Sequence, residues 1–388
     1  MLKVFGQHDD RTVQQMWTCL GVGAVHKGVL CADGHYGYAQ PVGGVVAYEK
    51  QISISGVGFD IGCGNMAVCT DMTYAEIKDR VPTIARDVSG KISFGLGRKN
   101  NERVDHPLFD DADAWHAADT GHLREMARDQ LGTVGSGNHY VDLFKDEDGW
   151  VWIGVHFGSR GLGHKTATKY LTAAGGRDGM DVPPALLDED TELGQRYIAA
   201  MELAGRYAYA GREWVVDTIR RILAAKVTAT VHNHHNYAWR ETHGDRQYWV
   251  VRKGATPAFP GQRGFVGGSM GDDAVILEGI DSPASRDALF STVHGAGRIC
   301  GRVEAKGKRD KVTGAWTRPP RFTREQMDEW LRRKGVYLIG GDVDESPMAY
   351  RRLPEVLGAH AGTVRILHTL QPFLVIMAAN EVRDPYKD

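Results

Sequence analysis

The sequence predicts an α+β or complex α/β fold, a single domain over residues 1–388 in which mixed and antiparallel sheets are flanked by helices. Three observations lead there. Apolar β-rich runs separated by glycine turns crowd the first seventy residues, helical periodicity is concentrated later, and strands and helices do not alternate as a doubly wound parallel sheet requires. No linker-like stretch is long enough to divide the 388 residues, and 42% hydrophobic content can bury a large core.

Taken in order, GGVVAYEK (43–50), QISIS (51–55) and NMAVCT (65–70) read as strands because β-branched and apolar residues recur between glycines. WVWIGVH (150–156) is the next. From about Thr191 to Lys226 the period changes: Leu193, Tyr197, Ala200, Met201, Ala204 and Ala208 recur at helical spacing and predict a long helix. Strands follow at KVTATVH (226–232), QYWVVRK (247–253) and AVILEGI (274–280). Residues 302–321, rich in Lys, Arg, Gly and Pro, predict an exposed loop, read as solvated surface ahead of RNA contact. A second helix starts at Thr323, where Thr323 and Gln326 make a capping box, and stops at Gly335. VYLIGG (336–341) and PFLVIMA (372–378) close the set as strands, before a short tail over 379–388.

The formal net charge of −2 argues against a surface that is one continuous nucleic-acid footprint, and leaves room for a local basic groove. Cys19, Cys31, Cys63, Cys69 and Cys300 are odd in number and irregular in spacing, unlike a disulfide framework. The N-terminal MLKVFGQHDD has no apolar segment after its lysine, and no stretch approaches the length of a membrane span. A soluble cytoplasmic protein with reduced thiols, and no membrane partner, is the expectation.

Asp60 and Cys63 lie three residues apart in GVGFDIGCG (56–64), where glycines let the backbone fold tightly enough for a carboxylate and a thiol to meet on one ion. Asn138 and His139 follow the glycine-serine turn of GTVGSGNHYVD, His156 ends the strand of VWIGVHFGSRGLGH, and VHNHHNYA offers His232, His234 and His235. Each histidine alone suits a structural role; together these segments supply ligands for one ion, or for two sharing the thiolate. A Cys/His/Asp mixture suits zinc, manganese or iron alike, and no CxxC pair marks a structural zinc. In STVHGAGR (291–298), glycines clear the space around His294 so that backbone can approach a phosphate, with Arg298 to neutralise charge. That histidine can be nucleophile, general acid or base, or ligand. Upstream, RKGATPAFPGQRGFVGGSMGD offers Arg252, Lys253 and a second glycine-serine turn carrying Ser269, Met270 and Gly271, suited to a polyphosphate.

With these segments in view, the chain closely resembles the RtcB family of RNA-splicing and RNA-repair ligases. The matching stretches are DGHYGYAQPVGGVVA, GVGFDIGCG, GTVGSGNHYVD, HFGSRGLGH, HNYA, RKGATPAFPGQR, GGSMG, STVHGAGR and DESPMAYR, in family order from about Asp33 to the C-terminal strand. The resemblance implies a GTP-dependent ligase using two Mn²⁺ ions, in whose place Zn²⁺ or another divalent ion can be found, and joining RNA 3′-phosphate or 2′,3′-cyclic phosphate ends to 5′-hydroxyl ends. By motif position it implies Asp60, Cys63, His139, His156 and His235 as metal ligands, with Cys63 bridging, and His294 as the nucleophile that takes GMP. Asn138, Ser269, Met270, Gly271, Ala296 and Gly297 would meet the phosphates and ribose of the nucleotide. Asp142, Tyr350 and Met377 would lie at the base, and Arg160, Arg252, Lys253 and Arg298 would hold RNA phosphates or pyrophosphate. Archease is the protein partner that the resemblance suggests.

The chain departs from the family pattern on the base side. Met377 and Ala378 stand where the family ends in Lys-Gly, Asp142 replaces a glutamate, Ala274 a serine and Pro257 an arginine. A methionine cannot donate a hydrogen bond to a base carbonyl. Retained metal and histidine chemistry with altered nucleotide selection is the expectation, with Lys387 in the tail as the substitute for the missing lysine. Two other readings use the same residues: a metal-dependent RNA-end phosphodiesterase or cyclic-phosphate hydrolase, for which His294 is dispensable, and an RNA-end binding protein without ligation.

Overall fold

The structure is a computed structural model that describes residues 1–310 and 312–379. The fold is α+β. Its largest sheet has eight strands, in the order Arg263–Val266, Ala274–Gly279, Val364–Ala379, Tyr140–Lys145, Trp150–Phe157, Gly64–Thr73 and Val227–His234, with Tyr337–Gly341 added parallel to Val364–Ala379. A five-stranded sheet runs Leu2–Val4, Val25–His35, Val42–Tyr48, Arg246–Lys253 and Asn236–His243.

The five-stranded sheet is buried on both faces, which its alternation makes possible. Leu30, Val46, Tyr48 and Val251 face a cluster that includes Tyr197, Ala200, Met201 and Ala204 of the helix Glu192–Leu223. Val29, Val45, Ala47 and Val250 pack with Val266, Val275 and Leu277 of the larger sheet. That helix, 32 residues long, is the one expected from the spacing: Thr191 caps it by accepting from the Gly194 N–H, and Ala224 stops it in the left-handed region at φ 58°. Its second half, with Val215, Val216 and Ile219, belongs to a separate core against Val68, Ile153 and Val155 of the large sheet. Arg212 lies where the two cores meet.

The predicted strands appear with adjusted ends. In QISIS only Gln51–Ser53 is a strand; Ser53 then accepts from the Gly56 N–H at 2.9 Å and caps a short helix, Ile54–Val57. PFLVIMA is the second half of Val364–Ala379, whose register against Tyr140–Lys145 shifts between Pro372 and Leu374. The capping box at Thr323 and the left-handed Gly335 bound the helix Arg324–Lys334. Residues 302–321 are not a plain loop: they hold the helix Arg302–Lys306, with Ala305 fully buried, and a hairpin of Lys308–Arg309 with Trp316–Arg318. Of the tail, Ala379 ends the last strand, and 380–388, with Lys387, lie outside the described residues. Among the described residues, no helix is long and apolar enough to cross a membrane.

One junction positions the site. The chain leaves the large sheet at His234 and enters the small one at Asn236, so His235 sits between the two sheets. Its N–H donates to the Cys63 carbonyl at 2.8 Å, which ties that crossing to the loop bearing Asp60 and Cys63.

Candidate active site

The loop from Gly58 to Gly64 is shaped by its glycines and by the long helix beneath it. Gly62 has φ +69°, and a Cβ there would lie 3.2 Å from the Gly205 Cα and the Ala208 Cβ. Gly205, Ala208 and Arg212 are thus the helix face on which the loop rests, small where it touches and cationic below. Arg212 is fully buried and donates to the Gly62 carbonyl at 2.9 Å and the Phe157 carbonyl at 2.6 Å. Above the helix, the Cys63 N–H donates to the Asp60 carbonyl at 3.0 Å and turns both side chains the same way.

Two histidines meet the thiol. Cys63 Sγ is 3.7 Å from His139 Nε2 and 3.6 Å from His156 Nε2, and these three ligand atoms lie within 4.8 Å of one another. His156 is opposite Asn65 across paired strands, and the 2.6 Å contact between its Nδ1 and the Asn65 Oδ1 makes Nδ1 the protonated nitrogen. The Asn65 amide is held in turn by donating to the Phe265 carbonyl at 2.8 Å. The free lone pair of His156 therefore faces Cys63. Asp60 attaches on the other flank, its Oδ2 3.0 Å from His139 Nε2. Space for that carboxylate depends on Gly158, where a Cβ would lie 2.2 Å from the Asp60 Oδ1.

Electrostatics suit a cation. Burial pushes the Asp60 carboxyl up, but His139, by hydrogen bond and charge, and the Arg160 charge outweigh it and hold the group well below the usual carboxylate range. Burial, with the Asp60 charge, pushes the Cys63 thiol well above its ordinary value, partly offset by Arg212. Burial also keeps His156 and His235 neutral, far below the usual imidazole range. A half-buried carboxylate, a thiol and neutral imidazoles are a donor set that fits a borderline-soft divalent ion.

The histidines continue as a row toward His294. The His235 ring centroid is 5.0 Å from that of His156 and 4.9 Å from that of His294. Asp33, at the end of strand Val25–His35 and fully buried, holds His294 twice: Oδ2 is 2.6 Å from Nδ1 and accepts from the His294 N–H at 2.9 Å. Nδ1–H is then the donor, and Nε2 carries the lone pair. Burial raises Asp33, and the charge that His294 carries when protonated, with its hydrogen bonds to the carboxylate, outweighs it and holds the carboxyl below its ordinary range.

The residues assigned to a nucleotide adjoin this row unevenly. Gly267 bridges to Gly295, which brings the Ser269–Gly271 turn beside Ala296 and Gly297. A Cβ on Gly267 would lie 2.5 Å from the hydroxyl of Tyr140, whose ring stacks 5.4 Å from His156 and so joins the turn to the ligand cluster. Ser269 donates to Asp272 Oδ2 at 2.6 Å, and Met270 and Met377 share an apolar cluster with Val375. Asp142 faces Val375 across the sheet, and burial alone pushes its carboxyl well above the usual range. Asn138 is exposed in its turn. Tyr350 lies against Arg298, whose Nη1 donates to its hydroxyl at 3.0 Å and to Glu345 at 3.3 Å.

Among the basic residues, Arg160 Nη1 reaches His139 Nδ1 at 3.3 Å, and Lys253 donates to the Tyr38 carbonyl at 2.5 Å. Arg252 differs. It is 0% exposed and committed to Glu241 (2.5 and 3.1 Å), Ser291 (2.8 Å) and the Leu289 carbonyl (2.9 Å), which makes it a core residue. Three site residues escaped the sequence reading. Asp33 opens DGHYGYAQ and Asn65 directly follows GCG, so both had a local signal, whereas Arg212 sits in an ordinary helical stretch and had none.

Residues 15–378 match the family model described as tRNA-splicing ligase RtcB. The chain is similar to the tRNA-splicing ligase RtcB of Thermococcus kodakarensis, 29% identical over 94% of this chain and 90% of that protein. It is also similar to the RNA-splicing ligases RtcB of Escherichia coli K12 (27%, over 89% of this chain and 88% of that one) and Mycobacterium bovis (29%, over 90% and 96%).

Proposed function

Because the chain belongs to the RtcB family of ligases, we propose that it joins RNA 3′-phosphate or 2′,3′-cyclic phosphate ends to 5′-hydroxyl ends, with GTP as co-substrate and Mn²⁺ as cofactor. The observation that supports this reading best is the unbroken row Asp33, His294, His235, His156 and Cys63, which sets a histidine with a free Nε2 beside a metal-type donor cluster.

Asp60, Cys63, His139, His156 and His235 would hold the metal. When bound, it supplies positive charge that offsets the phosphate oxygens and keeps Cys63 as thiolate. The protein's own groups do the rest. Asp33 fixes the Nδ1–H tautomer of His294, so Nε2 attacks the α-phosphorus of GTP; an N–P bond forms and pyrophosphate leaves. Asp33 stabilises the positive charge that develops on the ring as it does so. A cyclic end first takes up water, breaking its P–O2′ bond to leave a 2′-hydroxyl and a 3′-phosphate. An oxygen of the RNA 3′-phosphate then attacks the phosphorus bound to His294, the N–P bond breaks, and His294 returns to its neutral form. The 5′-hydroxyl next attacks the RNA phosphate, GMP departs, and the phosphodiester is closed.

A ligation assay tests this reading. RNA with 2′,3′-cyclic phosphate and 5′-hydroxyl ends, given GTP and Mn²⁺, should be joined by the parent protein and not by His294→Ala. Product from both proteins, or from neither, contradicts it.

A further inference from the structure

The hairpin within residues 302–321 is built at a cost that nothing else in the fold explains. Lys308 and Arg318 are directly opposite across its two strands, a like-charge pairing that destabilises a ladder. Among the described residues neither has an ion-pair partner, whereas neighbouring cations do: Arg302 pairs with Glu345, Arg321 with Glu304 and Lys306 with Asp342. The guanidinium of Arg309 lies 3.9 Å over the ring of Trp316, which stays 45% exposed. In sequence the arm 308–318 holds Lys308, Arg309, Lys311 and Arg318 against a single acid, Asp310, in a chain whose net charge is −2. Asp310 is occupied in the turn, accepting from the Val312 and Thr313 N–H groups.

The arm is also anchored to the site. Its preceding helix, Arg302–Lys306, follows the His294–Arg298 segment and packs on the turn that delivers His139: a Cβ on Gly137 would lie 3.2 Å from Arg302 Nη2. Uncompensated cations beside an exposed guanidinium–indole stack have the chemistry of a single-stranded nucleic-acid platform. Phosphates relieve the charge, and bases stack on the planar groups. We propose that the arm 308–318 docks the single-stranded RNA leading to the end held at the active site. The assignment of RNA, over an acidic protein or a membrane surface, rests on the ligase reading and on the stacked Arg309–Trp316 pair.

Fluorescence anisotropy with a 3′-phosphorylated single strand of about fifteen nucleotides tests the proposal, with guanylylation of His294 measured in parallel. Lys308→Gln/Arg309→Gln/Arg318→Gln should bind at least about tenfold more weakly at low salt, and its slope of log affinity against log salt should be shallower by about 2, near 0.7 for each lost phosphate contact. Trp316→Ala should also weaken binding about tenfold while changing the salt slope little. Labelling of His294 should match the parent in both variants. Equal affinity and equal slope in parent and triple variant overturn the proposal, as does an arm whose loss abolishes binding to an acidic protein or to anionic vesicles but not to RNA. Arm-dependent RNA binding by a protein that never labels His294 supports the arm and removes the ligase reading instead.

Discussion

Asp33 Oδ2 is 2.6 Å from the Nδ1 of His294 and also accepts from the backbone N–H of that residue, so one buried carboxylate fixes both the ring and the main chain beneath it. Asp33→Asn presents an amide in place of the acceptor and favours the opposite tautomer, which removes the lone pair from Nε2. The rate of His294 guanylylation should fall by about 10²- to 10⁴-fold with the fold intact by circular dichroism. A variant labelled at the parental rate contradicts the role given to Asp33.

Asn65 orients His156 from behind. Asn65→Ala should weaken Mn²⁺ binding about 10- to 100-fold, read by isothermal titration calorimetry, while Asn65→Gln should recover little because its longer side chain displaces the oxygen. Unchanged affinity in Asn65→Ala would mean that the 2.6 Å contact does not set the ring.

Arg212 joins the two cores under the ligand loop. Arg212→Leu strands the Gly62 and Phe157 carbonyls and should cost roughly 2–4 kcal/mol in urea unfolding. Arg212→Lys should not rescue it, because a single ammonium cannot serve both carbonyls, which share Nη1, and also replace the Nε and Nη2 contacts to His232 and His234 that hold the guanidinium in place. Full stability in the lysine variant would show that charge alone is what the position requires.

His360 holds the strand residue that precedes Asp33. It is fully buried, stacks on Phe5, and its Nε2 accepts from the Ala32 N–H at 3.2 Å; burial pushes its pKa down to about 4. Its folded value is below its unfolded value, so between pH 6.5 and 4 the unfolded chain binds a proton that the folded one refuses. Stability is unaffected by this group above that window and falls through it, by roughly 3 kcal/mol at its lower end. His360→Gln, which keeps an acceptor without the proton site, should flatten the decline in unfolding midpoint. An identical pH profile in both proteins assigns the acid sensitivity elsewhere.

Much of this site was legible because its residues cluster in short glycine-rich segments at strand ends. Cys63, His139 and His156 meet as their spacing and setting suggested, and the 32-residue helix follows its periodicity from cap to cap. Partners that act at a distance left weaker marks. Asp33 reaches His294 across 261 positions, and Arg212 is one cation among many in an amphipathic helix whose burial only the tertiary fold decides. Arg252 shows the converse: it stands in a motif beside Lys253, yet alternation along its strand turns it to the opposite face, toward Glu241. The strands Val25–His35 and Asn236–His243 were not read because glycine, histidine and charge break their patterns.

In the proposed ligase reaction, His294 carries the nucleotide beside the Cys63 cluster. Incubating the protein with Mn²⁺ and α-labelled GTP, then mapping the labelled peptide, tests it most directly. An acid-labile label is expected on the peptide containing His294, lost in His294→Ala and in Cys63→Ala. Absence of label, or label retained at another residue in His294→Ala, contradicts it.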